Sequence, residues 1–522
     1  MTLGTSIKIA LFGAALLPAA GAWALTPTQV NALTAANIIY VSGSTATDPA
    51  IQAFFKLDPA VDANAPCKAG TYDLYKTSTG YVVTCTAGPV FGSFANTNFA
   101  FVKQTLGGSA TGIHNVNAGI APGGFPDLTN PTAFTATCGA GAGTGASNPF
   151  QAFNTFTCTL AESATIVPNA GISDEDPTTF VGTGGVTNAD ATALKALHAV
   201  TVPFAAVVSV PLRNALQSAE GLTSGSEALA DVPSLSSAQL RAIYSGQMTS
   251  LSDLWVFNSA GVATQVDPSG STVHICRRGD TSGSQFATNI YFFGAGCSKG
   301  KGVGSVATPD NPGTQANGET WTGSSTQVGD FVFAGAGTGD VRSCVASAKD
   351  PGDTVNYRIG FTSTDQAIVA ATGFRFIALN GVAPTIWNIQ KGQYDWLTED
   401  TFNSTTASLT RNGTSSASAN AIFNTLNTNL SNVNGLAGLN ASSRNSAAPG
   451  DTTGAADTGI VTVGNSVLFG TSNPHGPSAP AWPGAIRAIA TAGQGPNSPL
   501  TKTFPGGSLN NCNGSFQGDP TG

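Results

Sequence analysis

The chain has 522 residues, enough to fill more than one compact lobe. Only 10% of the residues are charged and the formal net charge is -8, which excludes the dense cationic face that nucleic-acid binding requires. Hydrophobic residues make up 41%, so the 63 glycines and the abundant Ser, Thr, Ala and Asn point to a folded protein with long, weakly charged loops, not a disordered one.

The first predicted element is an export signal. Lys8 precedes the apolar run "IALFGAALLPAAGA", and "AWA" at Ala22–Ala24 has the small-x-small form that signal peptidase cleaves. Residues 1–24 are therefore expected to be removed, leaving a protein exported to the periplasm or the extracellular space. No later stretch is long and apolar enough to be embedded in a membrane.

After the signal, "NIIYVSGSTATDPAIQAFFKL" passes from a β-branched run through Gly43-Ser44-Thr45 into a stretch where Ile51, Phe54 and Phe55 recur at helical spacing. This reads as strand, tight turn and helix. Residues about 60–170 are rich in Gly, Asn and Thr, and "TCGAGAGTGASNPF" reads as a loop. Order is expected to resume at "DATALKALHAVTVPFAAVVSVPL", a short helix leading into a Val-rich strand of the kind buried in a central sheet. In "SLSSAQLRAIYSGQMTSLSDLW", Ser236 and Gln239 form a capping box, Leu240 and Ile243 supply an apolar face, and Gly246 ends the helix. "STVHICRRGD", "RIGFTS" and "FRFIALNGV" read as strands; "SGSQFATNIYFF" and "ANAIFNTLNTNL" read as helices. Strands alternating with helices imply an α/β architecture with largely parallel sheets.

Eight cysteines fit an oxidising compartment. Cys67 with Cys85 and Cys138 with Cys158 are the local pairs; Cys276 with Cys297 is a plausible third, leaving Cys344 for Cys512, among 105 connectivities that eight cysteines allow. The four histidines, His114, His198, His274 and His475, are scattered and no CxxC occurs, so neither a metal nor another cofactor is expected.

Three strand-to-helix turns share one chemistry. "SGST" at Ser42–Thr45, "GGSATG" at Gly107–Gly112 and "TSGS" at Thr281–Ser284 each combine glycine with hydroxyls. Glycine lets the backbone approach a ligand, and the following helix presents unpaired N–H groups and a positive dipole end. Arg278, just ahead of the third turn, adds a guanidinium suited to gripping an oxyanion in bidentate fashion.

Here the residues carry a resemblance. "CRRGDTSGSQFATNIYFFG" resembles the Arg-x-Asp-x-Ser-Gly-Thr segment of the periplasmic phosphate-binding proteins, the solute receptors of phosphate ABC importers. "LSSAQLRAIYSGQMTSLSDLW" is similar to the block just upstream in that family, and "VSGSTA", "GISDEDPTTF", "RIGFTS" and "LNGVAPTIWNIQKGQYDW" resemble further blocks, in the family's order over about residues 36–400.

The resemblance implies a two-lobed type II periplasmic-binding-protein fold with a hinge, carrying long loop insertions and a C-terminal extension. Lobe I would comprise residues 25–205, with a disulfide-containing insertion at about 60–170, and lobe II residues 206–392. Residues 393–522 would return to lobe I and form the extension. It also implies a ligand set of Thr45 and Ala46 in the first turn, Ser109 in the second, Asp174, and Arg278, Ser282, Gly283 and Ser284 in the third, with Asp280 orienting the arginine. Ala46 replaces a larger family residue and Ser284 the usual threonine. About sixty residues separate Gly112 from Ser173, where the family has a much shorter connection.

The function so implied is non-enzymatic capture of inorganic phosphate or a related oxyanion, with an ABC permease as a further partner. A phosphatase grown on the same scaffold, or a secreted structural or adhesive protein that keeps the fold, are the rival readings.

Overall fold

The computed structural model describes residues 25–430 except 129–137, 140, 147–149, 160, 296–304, 308–331, 336, 347–356, 365–372, 385–387 and 389–392; beyond 430 it describes 470–471, 500–501 and 516–517. Residues 1–24, Cys297, Cys512, His475 and most of the C-terminal extension lie outside these.

The central element is a single mixed sheet of fourteen strands. Its principal strands are β1 (Ile38–Gly43), β2 (Asp73–Lys76), β3 (Gly80–Thr86), β4 (Asn98–Gln104), β5 (Phe153–Thr157), β6 (Ala170–Ser173), β7 (Lys195–Ser209), β8 (His274–Arg278), β9 (Val332–Gly335), β10 (Arg358–Ser363), β11 (Phe374–Phe376) and β12 (Leu397–Ser404). In space they run β9-β8-β10-β7-β12-β6-β1-β4-β3-β2-β5, with β11 also on β7 and the strand Ala142–Thr144 at the far edge. Two parallel clusters stand out, β4-β1-β6 and β9-β8-β10. Between them β7 and β12 run antiparallel to each other, and each is also antiparallel to its neighbouring cluster. The expectation of largely parallel sheets is thus corrected to a mixed sheet, because two crossing strands have to carry the chain from one cluster to the other and back.

The helices that bear on the site are α1 (Asp48–Lys56), α2 (Gly108–Ala110), α3 (Val210–Ala219), α4 (Ser237–Tyr244), α5 (Gly283–Phe293), α6 (Thr338–Ala346) and α7 (Ser416–Leu430). On α4 the capping box forms as read: Ser236 Oγ accepts from Gln239 N at 3.2 Å and Gln239 Oε1 accepts from Ser236 N at 2.8 Å. Leu240, Ile243 and Tyr244 are buried on its apolar face, and Tyr244 Oη donates to Gly360 O of β10 at 2.9 Å. Ile39, Val41, Phe54, Phe55, Phe99 and Phe101 fill the core of one half; Val207, Ile275, Phe292, Ile359, Phe361 and Trp396 continue it through the other.

Regular structure forms within residues 60–170 among those described. β2, β3 and β4 form there, and the alternating "GYVVTCT" and "NFAFVKQ" put Val83, Cys85, Phe99 and Phe101 into the core. The inserted β5 extends the sheet by pairing in parallel with β2, and "AGT" at Ala142–Thr144, read as loop, is an exposed edge strand on β5.

Cys67–Cys85 and Cys138–Cys158 are bonded as expected. Cys276 is bonded to Cys344 instead of Cys297, with Cα atoms 5.9 Å apart. The reason is topological: α6 packs on β10 and β8, so the helix brings Cys344 over a strand residue 68 positions away in sequence. Closing a loop of that length removes chain entropy worth about 4 kcal/mol from the unfolded state. The double variant Cys276→Ala/Cys344→Ala is expected to lose most of that in denaturant unfolding, and the Cys67/Cys85 double variant, with its shorter loop, somewhat less.

Candidate functional site

The C-terminal ends of β4, β1 and β6 lie side by side because these strands are parallel, and each is followed by a polar turn. Such a row of strand ends is where α/β sheets place ligands. β1 ends at Gly43, whose φ of +105° and whose position, where a Cβ would fall 2.0 Å from Ile172 O, both demand glycine. The close approach lets Ser44 N donate to Ile172 O at 2.9 Å, so the first turn is pinned to β6.

From that turn the hydroxyl of Ser44 accepts from Ala46 N at 3.0 Å and donates to Asp174 Oδ1. Asp174 N in turn donates to Ser109 Oγ at 3.1 Å. Gly283, the first residue of α5, comes from the other cluster: a Cβ there would lie 2.3 Å from both Asp174 Oδ2 and Ser109 Oγ. Ala110 N donates to Thr281 O at 3.2 Å across the same junction. Thus the turns after β1, β4 and β6 and the N-terminus of α5 meet at one point, although Ser109 and Asp174 are 65 residues apart in sequence, Ser44 and Asp174 are 130 apart, and Gly283 lies further on still.

Arg278 ends β8 and is buried. Its Nη1 donates to Thr338 Oγ1 at 3.1 Å, at the start of α6. Burial pushes its pKa down, and the carboxylates of Asp174 and Asp340 oppose that. Asp340 is itself fixed by accepting from Gly337 N at 2.7 Å. Asp280 is corrected here: it is bonded to Arg277 Nη2, not placed as the orienting partner of Arg278, and 72% of its side chain is exposed. Successive residues of a strand point to opposite faces, so Arg277 and Arg278 diverge and the turn delivers Asp280 to the former. Arg277 also donates to Ala307 O at 2.8 Å, which makes it a tether of the loop.

The remaining expected residues surround this point. Thr45 and Ala46 continue the first turn, where Thr45 O accepts from Asp48 N at 3.1 Å. Ser282 is the N-cap of α5 but its hydroxyl makes no capping bond; Ser284 is buried one residue beyond Gly283. The N-terminus of the eleven-residue α5, whose first-turn N–H groups have no partner within the helix, therefore lies beside Asp174 and Ser109.

Four participants were not singled out from sequence as ligands or supports. Ser44 lies inside the quoted first turn, yet the resemblance put weight on the next two residues. Thr338 and Asp340 sit in "GAGTGD", a small-residue turn after a strand with the same signature as the other three. Lys103 is a lysine inside the apolar strand "NFAFVKQ", which was the available signal. It is fully buried, and its Nζ donates to Gly43 O and Gln104 O, each at 2.9 Å, with Asp48 Oδ1 at 3.6 Å.

The electrostatics where these turns meet are set by burial. Asp174 is pushed up to about 7, first by desolvation and further by Asp48, while Arg278 and Lys103 pull it down. Asp400, buried on β12, is held well above the usual carboxylate range by desolvation, with Asp174, Glu175 and Asp48 adding repulsion. Asp73 and Glu220 are raised by burial to about 6 and about 7. Carboxyls raised in the folded state bind more protons there than when unfolded. Their stability contribution is therefore full at low pH and lost as pH rises through the folded values. The protein without ligand is expected to show a higher Tm at about pH 6 than at about pH 8, which a buffer-matched thermal scan checks.

Among the described residues no group of three or more His, Cys, Asp or Glu could hold a metal ion, and no helix is long and apolar enough to cross a membrane.

No family model and no curated protein sequence matches the chain. Solved structures do. A candidate phosphate ABC transporter substrate-binding protein from Clostridium perfringens, with bound phosphate, is 14% identical with a TM-score of 0.35, over 74% of this chain and 93% of that one. An ABC-type phosphate transport receptor from Vibrio cholerae is 14% identical with a TM-score of 0.31, over 74% of this chain and 92% of that one. PstS from Borrelia burgdorferi is 11% identical with a TM-score of 0.28, over 70% and 87%. Likeness at this level leaves the α/β assignment resting on the chain's own strand order.

Proposed function

We propose that this protein is an exported receptor that captures phosphate, or a closely similar oxyanion, between the two strand clusters. The observation that carries the reading is the convergence of Ser44, Ser109 and Asp174 from one cluster on the Gly283 N-terminus of α5 from the other, beside the buried cation Arg278. Helix N–H groups and hydroxyls would donate to the oxygens of a tetrahedral anion, and the guanidinium would balance its charge.

Asp174 supplies selectivity. A carboxylate facing an anion repels it unless the anion brings a proton to donate. Monohydrogen and dihydrogen phosphate carry one; sulfate at neutral pH does not. An unmatched buried acceptor costs about 1–3 kcal/mol, more when charged. Ser44 already occupies Oδ1, so Oδ2, which faces Gly283, would accept the ligand's proton.

In this reading the clusters are the cores of two lobes, roughly 25–205 with 393 onward and 206–392, joined through β7 and β12, and a permease takes the loaded receptor. Hydrolysis is not favoured: Asp190 holds His114 at 3.0 Å, but among the described residues no serine, threonine or cysteine side chain is hydrogen-bonded to that imidazole to serve as a nucleophile. A thermal-shift titration tests the proposal. Phosphate and arsenate should raise Tm in a saturable way and sulfate should not; equal shifts with all three, or none, would contradict it.

A further inference from the structure

Resting on the phosphate-site reading, we infer that Lys103 is a positioning and specificity-determining residue of the site: it ties the first two anion-binding turns together and places a positive charge near Asp174, the proton acceptor. Three observations lead there. First, an ammonium on a fully buried strand residue is costly unless matched, and this one is matched within the site's own framework. Its acceptors are Gly43 O, the residue before the Ser44 turn, and Gln104 O, at the end of the strand that leads to the Ser109 turn. One side chain thereby fixes the spacing of two turns that converge on Asp174.

Second, Lys103 is the other cation besides Arg278 that acts on Asp174. The charged and titratable groups around that carboxyl are Lys103 from β4, Asp48 at the start of α1, Arg278 at the end of β8, and Asp400 on β12, with Glu175 next in the chain. Burial and Asp48 favour the neutral acid; Arg278 and Lys103 favour the carboxylate. Third, Tyr81 Oη donates to Asp48 Oδ1 at 3.2 Å, so Asp48 is held beside Lys103 instead of turning toward the ligand. Without the lysine the pocket holds one cation against several acids. Asp174 then keeps its proton, and the distinction between a protonated anion and a fully ionised one fades.

The test is calorimetric titration with inorganic phosphate from about pH 5.5 to about pH 8.5 on the full mature chain. In the wild type, affinity falls on the acid side as Asp174 protonates. Lys103→Met should weaken binding about tenfold at neutral pH and move that acid limb to higher pH. Asp48→Asn should move it to lower pH, because a repelling carboxylate is gone while Lys103 keeps its two carbonyl acceptors and Asp174. A purely structural lysine would weaken binding equally at every pH and leave the limb in place. An unmoved limb in Lys103→Met, or both variants moving it the same way, overturns the inference while leaving the phosphate site standing. If Lys103→Met does not fold, Lys103→Gln decides, since an amide can still donate to the two carbonyls but carries no charge: a raised limb supports the role, and an unmoved or lowered one overturns it. Wild-type protein that gives no heat with phosphate overturns both the lysine's role and the site reading.

Discussion

Arg278→Ala is expected to cost at least about 100-fold in phosphate affinity, close to 3 kcal/mol. The loss has two parts. The ligand forfeits its charge-assisted contact, and the acidic groups that Arg278 offsets, Asp174 and Asp340, stay buried with less compensation. Asp174, already raised to about 7 with the arginine present, would rise further and hold its proton through neutral pH. Arg278→Lys should fall between, since an ammonium restores charge but not the planar fork that also reaches Thr338. Isothermal titration of the three proteins gives the order. An alanine variant that binds phosphate as the wild type does would remove Arg278 from the site.

Gly283→Ala should be comparably damaging for a steric reason. The added Cβ would fall 2.3 Å from both Asp174 Oδ2 and Ser109 Oγ. Neither atom belongs to a long, adaptable side chain: Asp174 is tied by Ser44 and Ser109 accepts from Asp174 N, so one of these bonds has to break. Overpacking of that kind costs about 1–3 kcal/mol in stability. The larger effect is on binding, because the methyl would stand between the helix N-terminus and the carboxylate. Gly279, four residues earlier in the same loop, has nothing within 4 Å of its Cβ position. Gly279→Ala should bind phosphate almost normally. Equal tolerance at both positions would mean that α5 does not close on Asp174 as described.

Much of this was legible in the chain, and the failures have physical causes. Turns with local chemistry read well: glycine and hydroxyl after a β-branched run marked the Ser44, Ser109 and Ser282 turns, and the capping box at Ser236 formed as spelled. Pairings set by topology did not. Cys276 looked toward Cys297 because it is near in sequence, whereas α6 lies over β8 and carries Cys344 to it. Asp280 looked like the partner of Arg278 until strand alternation assigned it to Arg277. A glycine-rich composition concealed β2 and β3, whose period-two pattern was the better guide. Lys103, Thr338 and Asp340 gained meaning only when strands distant in sequence became neighbours.

The most direct measurement is isothermal titration of the wild-type protein with phosphate and, separately, with sulfate at neutral pH. Saturable heat at one site with phosphate, and none with sulfate at the same concentrations, is the predicted result. No heat with phosphate, or matching heats with both anions, would contradict the claim that Asp174, Arg278 and the α5 N-terminus form a receptor for a protonated tetrahedral oxyanion.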